Sequence, residues 1–177
     1  MANDISPCYH PRMYLLPNLV RHNAWANRAV LDAFATAPAV LNTICYDGAP
    51  LFARLQHQAG TERAFLDILR VTPKRPEPPS ELAAVTSYAA ETSTGLLAVT
   101  LELGDAAQER LFLFPWWKLE LPMHVLVSQM LAHSAQHRSE LAWELARAGT
   151  NTGELDYIVW TVGGMPEPGV AVNLPDD

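Results

Sequence analysis

Residues 72–80, "TPKRPEPPS", place the strongest constraint on how this chain can fold. Four of these nine residues are proline, so the segment cannot continue a helix and is expected to run extended. At ~3 Å per residue it spans ~28 Å, close to the length of a helix of ~20 residues. The segment can therefore return the chain along a whole domain, which predicts that the helices on either side of it run parallel.

Apolar residues repeat with a helical period in four long segments. Helix-favouring residues and proline or glycine near the ends set their bounds, with Ser80 as a predicted N-cap and with Gly104 and Gly149 directly after two of the helices. The predicted helices cover residues 15–37, 49–71, 80–103 and 122–148. The pattern predicts an all-α protein.

The segment before the last long helix, "ERLFLFPWWKLELP", has a different character. It is rich in aromatic and β-favouring residues and is interrupted by Pro115, which predicts a short hairpin or paired extended arms. The simplest interpretation is a hydrophobic flap over one end of the helices. An alternative is a dimer surface around Trp116 and Trp117, because dense exposed aromatic residues usually mark contacts.

Length and charge narrow the possible partners. The 177 residues suffice for one domain, and the net charge of −7 argues against binding to nucleic acid or to an anionic membrane surface. No apolar run reaches the ~20 residues of a membrane span, and the N-terminal stretch lacks the order of a signal peptide. Cys8 and Cys45 are the only cysteines, and a cytoplasmic protein with a free thiol at Cys45 is expected.

Two histidines four residues apart, His133 and His137, interrupt the apolar face of the last long helix. Side chains at this spacing lie on one side of a helix, so both imidazoles can reach one metal ion. The sequence HSAQH lacks the glutamate of the HExxH motif, which disfavours a zinc protease. The alternative is one buried, hydrogen-bonded histidine and one exposed one. His124 is expected on the opposite side of the helix, and no role is expected for His10.

His57 is the candidate third ligand, since catalytic metal sites usually keep three protein ligands and one open position. It belongs to a stripe of mostly small residues on the second helix: Ala53, His57, Gly60, Thr61 and Ala64. This stripe predicts room for an ion and a substrate. A buried structural histidine is the alternative.

Charged residues follow the histidines on the last long helix. Glu140 and Glu144 lie on or near the histidine side of the helix, where either could be a fourth ligand, a general base or a solvated carboxylate. Arg138 is turned away from the histidines and is expected in a structural ion pair, with binding of a substrate anion as the alternative. Trp25 and Trp143 are expected in the core.

Three segments resemble the DinB/YfiT-like superfamily of bacterial four-helix bundles. They are "HNAWANRAVLDA" in the first helix, "LFARLQHQAGTERAFLDIL" in the second, and "LAHSAQHRSELAWELARAG" followed by "LDYIVW". The similarity extends over residues 13–160, and the most diagnostic part is the HxxxHR block. Many members continue this block with glycine, where this chain has Ser139. The aromatic segment around Trp116 matches no family motif.

The resemblance implies a single domain, residues 1–177, with a core at 13–160, an irregular tail at 161–177 and up-down-down-up helix order. It also implies one divalent metal ion, zinc or nickel, held by His57, His133 and His137, and a homodimer. Relatives include thiol S-transferases that use bacillithiol or mycothiol and a mycothiol-dependent isomerase. Others are named only as DNA-damage-inducible proteins.

Three neutral imidazoles leave a bound metal ion its full charge, so that it can deprotonate a thiol or lower the pKa of a water molecule. The leading expectation is a metal-dependent thiol S-transferase that acts on small electrophiles, with a low-molecular-weight thiol as cosubstrate. The alternatives are a metal-dependent hydrolase and a non-catalytic metal-binding stress protein. No residue is assigned as catalytic beyond the three ligands.

Overall fold

The computed structural model describes residues 15–72 and 77–172, and within these ranges the chain is mainly helical. This confirms the predicted class. The helices are α1 (Leu15–Thr36), α2 (Leu51–Leu69), α3 (Leu82–Leu103), α4 (Met123–Arg147) and the short α5 (Tyr157–Val162), and the strands are β1 (Leu111–Phe114) and β2 (Leu119–Pro122). The predictions for Cys8, His10 and the middle of the proline-rich crossover (73–76) lie outside the described residues.

The four long helices begin and end within two residues of their predicted bounds. Gly149 follows α4 with a φ of 81°, a left-handed conformation that glycine adopts without a steric penalty. The prediction for Ser80 was wrong, because α3 begins two residues later and Glu81 occupies the N-cap position without a side-chain hydrogen bond. The sequence pattern therefore located the helices but not this cap.

Each long helix packs against two others. Helix α1 contacts α3 and α4, and α2 contacts the same two helices. The buried apolar side chains form two large clusters. One contains Leu16, Val20, Phe65, Leu66, Leu69, Leu96, Val99, Met123, Leu126, Val127 and Met130 from the helices, together with Phe112 and Phe114. The other contains Val30, Leu31, Ala33, Phe34, Leu41, Leu51, Leu55, Ala59, Val85, Ala89, Leu141 and Leu145.

The two strands form the predicted hairpin in front of α4. They pair antiparallel, with Leu111 opposite Pro122 and Phe114 opposite Leu119. Phe112 and Phe114 turn into the first core cluster, as the alternation of side chains along a strand requires. The hairpin therefore covers one end of the helices, as predicted.

A C-terminal arm follows α4 and packs against α1. Its helix α5 buries Trp160, which forms a third cluster with Trp25 and Ala26. The His22 Nε2–H donates to the Leu155 carbonyl at 2.8 Å, and the Trp25 indole N–H donates to the Val170 carbonyl at 2.9 Å. The predicted burial of Trp25 is confirmed.

The prediction of a buried Trp143 was wrong, since 66% of this residue is exposed. Leu141 and Leu145 are both fully buried, and a residue two positions from each lies ~200° around the helix from them. Trp143 therefore points outward. In the two described ranges, no helix combines the length and apolar character that crossing a membrane requires.

Candidate metal centre

Three histidines from two helices meet at one point between α2 and α4. The Nε2 atom of His133 lies 3.2 Å from Nε2 of His57 and 3.2 Å from Nε2 of His137. All three residues offer a ring nitrogen within 4.8 Å of the others, and the rings meet edge to face. The structure thus brings together the three residues predicted as ligands.

The spacing of these nitrogen atoms suits a shared metal ion. Two ligand atoms at ~2.0–2.1 Å from a tetrahedral zinc ion lie ~3.3 Å apart, close to the two observed separations. His133 Nδ1 is buried without a hydrogen-bond partner, and its Nε2 faces two other ring nitrogens. A cation bound by the Nε2 lone pair would leave the proton of the neutral ring on Nδ1.

His133 is held in the neutral form that metal binding needs. Burial, together with the nearby His137 and His57, lowers its pKa to about 4. An imidazole with this pKa carries a free lone pair at neutral pH, so binding a metal ion there requires no loss of a proton from this ring.

The other side of His137 is fixed by a carboxylate. The His137 Nδ1–H donates to Glu140 Oε2 at 2.9 Å, which leaves Nε2 as the lone-pair atom. Arg54 also donates to Glu140 Oε2 at 2.9 Å and forms a second ion pair with Asp47. Partial burial raises the pKa of Glu140. The hydrogen bond from His137 and the charge of Arg54 lower it further than burial raises it, so the pKa lies below its usual range.

The two carboxylates considered as fourth ligands are engaged elsewhere. Glu140 contacts Nδ1 of His137, not the nitrogen that faces the cluster, and Glu144 pairs with Arg147 at 3.1 Å. Within the described residues the cluster therefore offers three protein ligands. A metal ion held by these three ligands would keep an open position for a water molecule or a substrate atom.

The space beside Gly60, predicted as room for an ion and a substrate, is filled by the proline-rich crossover. A Cβ atom at Gly60 would lie 2.7 Å from Cγ of Pro78, and Gln56 donates to the Pro79 carbonyl. Ala64 is buried. The small side chains let the proline-rich crossover approach α2.

A buried polar network lies behind the histidines and was missed in the sequence. Glu62, 1% exposed, accepts hydrogen bonds from the amide nitrogens of Asn23 and Asn27 and from the Ser134 hydroxyl. The amide oxygens of the same asparagines accept from Nη1 of Arg138 at 2.8 and 2.9 Å. Two amides thus link a buried carboxylate to a buried guanidinium, where a direct ion pair of Arg138 was predicted.

The sequence order on α4 connects this network to the histidines. Ser134 directly follows His133 and Arg138 directly follows His137. Each of the two histidines on α4 is therefore followed in the sequence by a residue that hydrogen-bonds within the buried network. A signal was present in the sequence, since Asn23 and Asn27 are four residues apart on an otherwise apolar face of α1.

The histidine cluster opens on solvent through His57, which is exposed, whereas His137 is buried. Three cavities within the described residues have other side chains in their walls. Cys45 is a free, half-buried thiol, as expected.

Comparisons of the whole chain with protein-family models, with curated proteins and with solved structures find no match in any of the three.

Proposed function

We propose that this protein is a divalent-metal-binding member of the DinB/YfiT-like superfamily and that His57, His133 and His137 are its metal ligands. The observation that carries the proposal is the convergence of three imidazole nitrogens, two pairs of them 3.2 Å apart. The donor set, three neutral nitrogens, suits zinc or nickel. The hydrogen bond from His137 to Glu140 adds the carboxylate that commonly supports a metal-ligating histidine.

The proposal includes a four-helix bundle in up-down-down-up order. Support comes from the membership of the two core clusters. The N-terminal halves of α1 and α4 share one cluster with the C-terminal halves of α2 and α3, and the other cluster joins the opposite halves. This sharing is expected if α1 and α4 run one way and α2 and α3 run the other.

The proposed activity is transfer of a low-molecular-weight thiol to a small electrophile. A divalent ion on three neutral imidazoles lowers the pKa of a thiol that it binds. In the reaction a bond forms between the sulfur and the electrophilic carbon, the leaving group departs with its bonding electrons, and the thiol proton passes to solvent. The hydrogen bond to Glu140 orients the ring of His137, and burial keeps the ring of His133 neutral.

Metal content tests the site. We expect about one zinc or nickel ion per chain in the purified protein and strong depletion in His57→Ala and His137→Ala, because each variant removes one of three ligands. His124→Ala is the matched control, since His124 lies on the same helix and contacts the Gln108 carbonyl instead. Full metal content in both ligand variants would overturn the site.

Thiol conjugation tests the activity. Metal-loaded protein is incubated with monochlorobimane and with bacillithiol, mycothiol, cysteine or glutathione, and we expect faster formation of the fluorescent conjugate with at least one thiol. The rate should fall in His57→Ala. Hydrolysis of p-nitrophenyl acetate in place of conjugation would instead indicate activation of a water molecule.

A non-catalytic metal-binding protein is the second candidate. It is favoured by one observation, namely that the cavity of about 290 Å³ between α1 and α3 is lined by residues other than the three histidines. Metal content that depends on the histidines, without conjugation or hydrolysis, would support this candidate over the enzyme.

We also propose a homodimer. The outer side chains of the hairpin, including Leu113 and Trp117, are largely exposed, and apolar patches of this kind commonly bind another protein surface. Light scattering after size exclusion measures the mass of the particle. A dimer that dissociates in Leu113→Lys but not in Val125→Lys on α4 would place the contact on the hairpin.

A further inference from the structure

A cavity of about 290 Å³ lies between α1 and α3, and the C-terminal segment after α5 forms one of its walls. Most of its lining is apolar and includes Val20, Leu31, Leu97, Trp160 and Met165. Its volume is at the lower end of the range for small-molecule pockets, ~300 Å³. The candidate metal ligands are on α2 and α4, so this cavity is separate from them.

Two polar side chains in the wall retain unused hydrogen-bonding capacity. Arg21, an exposed residue of α1, has no ion pair with any of the described residues, whereas Arg28, two turns further on, is paired with Asp32. Ser93 on α3 is half-buried, and none of the described hydrogen bonds uses its hydroxyl group. Polar groups facing an apolar cavity without partners are the usual means of orienting a ligand.

The neighbouring hydroxyl groups on α3 behave differently from that of Ser93. Thr86 and Thr94 also line the cavity, but each donates to the carbonyl four residues earlier in its own helix, at 2.9 Å in both cases. Their hydrogen-bonding requirement is met within the helix. Ser93 is therefore the hydroxyl group of this wall that is available to a ligand.

Arg21 is the cation of the wall that has no ion pair among the described residues, since Arg28 is paired with Asp32. Glu167 is the one acidic residue of the wall. A guanidinium binds a carboxylate through charge-assisted hydrogen bonds.

We propose that this cavity binds a small monocarboxylate with an apolar body. The carboxylate is bound by Arg21 and Ser93, and the hydrocarbon part packs against Leu97 and Trp160. This site is independent of the proposed metal centre and adds a second ligand to the protein. The predicted irregular tail contributes Met165, Pro166, Glu167 and Pro168 to the wall.

Calorimetric titration of the full chain tests the chemistry of the ligand. Octanoate, octanol and octylamine share one hydrocarbon chain and differ in the head group. We expect octanoate to bind at least tenfold more tightly than the other two, because only a carboxylate forms charge-assisted hydrogen bonds with a guanidinium. Arg21→Gln should remove most of this preference, and Arg147→Gln on the far end of α4 should leave it unchanged.

A second pair of variants tests the location. Ala24, half-buried on α1, lines the cavity, and Ala24→Leu should weaken binding of octanoate at least tenfold by filling it. Ala84→Leu, at an exposed position of α3, is the matched control. Zinc-loaded and metal-free protein should bind octanoate equally. The proposal is overturned if octylamine binds as well as octanoate, or if Arg21→Gln and Ala24→Leu both leave the affinity unchanged.

Discussion

The carboxylate of Glu140 accepts a hydrogen bond from Nδ1 of His137, on the side of the ring opposite to the nitrogen that faces His133. Arg54 holds the same carboxylate oxygen. If the three histidines bind a metal ion, this contact determines which tautomer of His137 is present and how the ring is oriented.

Glu140→Ala is therefore expected to weaken zinc binding about 10–100-fold, because removing the partner of a metal-ligating histidine typically has this effect. Competition with a chromogenic chelator measures the affinity. Glu144→Ala is the matched control, as Glu144 is on the same helix but pairs with Arg147. Equal affinities in the two variants would contradict the role of Glu140.

Zinc should stabilise the protein against heat. At ~100 times the dissociation constant, a ligand that binds only the folded state adds ~2.7 kcal/mol, equivalent to a rise in Tm of roughly 5–10 °C for a chain of this size. Differential scanning calorimetry measures the shift. We expect it in the wild type and in His124→Ala, and we expect its loss in His57→Ala; a shift that persists in His57→Ala would indicate another zinc site.

Glu62→Gln should be strongly destabilising. The substitution removes the negative charge that two asparagines connect to buried Arg138, and leaving a buried charge without its counter-charge costs ~3–5 kcal/mol. Urea unfolding at neutral pH measures the loss. Glu91→Gln, at an exposed position of α3, should change the free energy of unfolding by less than ~0.5 kcal/mol. A similarly small effect of Glu62→Gln would show that the charge is not needed.

The titration of His22, which contacts the C-terminal arm, should make the free energy of unfolding depend on pH. Burial lowers the pKa of this imidazole, although its hydrogen bond to the Leu155 carbonyl opposes the shift. In the unfolded chain the pKa of the imidazole has its ordinary value of ~6.5. Below this pH the unfolded state binds the proton more readily than the folded state, so the free energy of unfolding decreases as the pH is lowered. The loss continues until pH passes the lower pKa of the folded state.

The variant His22→Gln lacks this titration. Metal-free wild type should therefore lose more unfolding free energy than His22→Gln between pH 7 and pH 5, measured by urea unfolding at each pH. The half-buried His133 contributes in the same direction but is present in both proteins, so it cancels in the comparison. An equal loss in the two proteins would contradict the assignment to His22.

Local sequence patterns were sufficient for the helices and for the position of His133 beside His137, because helical periodicity depends on neighbours within a few residues. Trp143 was wrongly predicted from its apolar character alone, although its spacing from Leu141 and Leu145 already placed it outward. The partners of Glu62 come from α1 and α4. The spacing of Asn23 and Asn27 marks two polar residues on the apolar face of α1, but no local pattern indicates which residues of other helices they contact.

The small residues around Gly60 show a related limit. Their size was interpreted as room for a substrate, but the space is used by Pro78 of the crossover. The sequence pattern indicated that one face of α2 carries mostly small side chains. Which element occupies that face depends on the path of the chain in three dimensions.

The network of Asn23, Asn27, Glu62 and Arg138 also has a consequence for the evolution of the protein. Each member hydrogen-bonds with at least one other across a helix boundary, and a change in any one leaves a buried charge or amide without its partner. We expect natural sequences of this fold to keep the four residues together or to replace them together. The positions should therefore covary across α1, α2 and α4, while the exposed residues between them diverge freely.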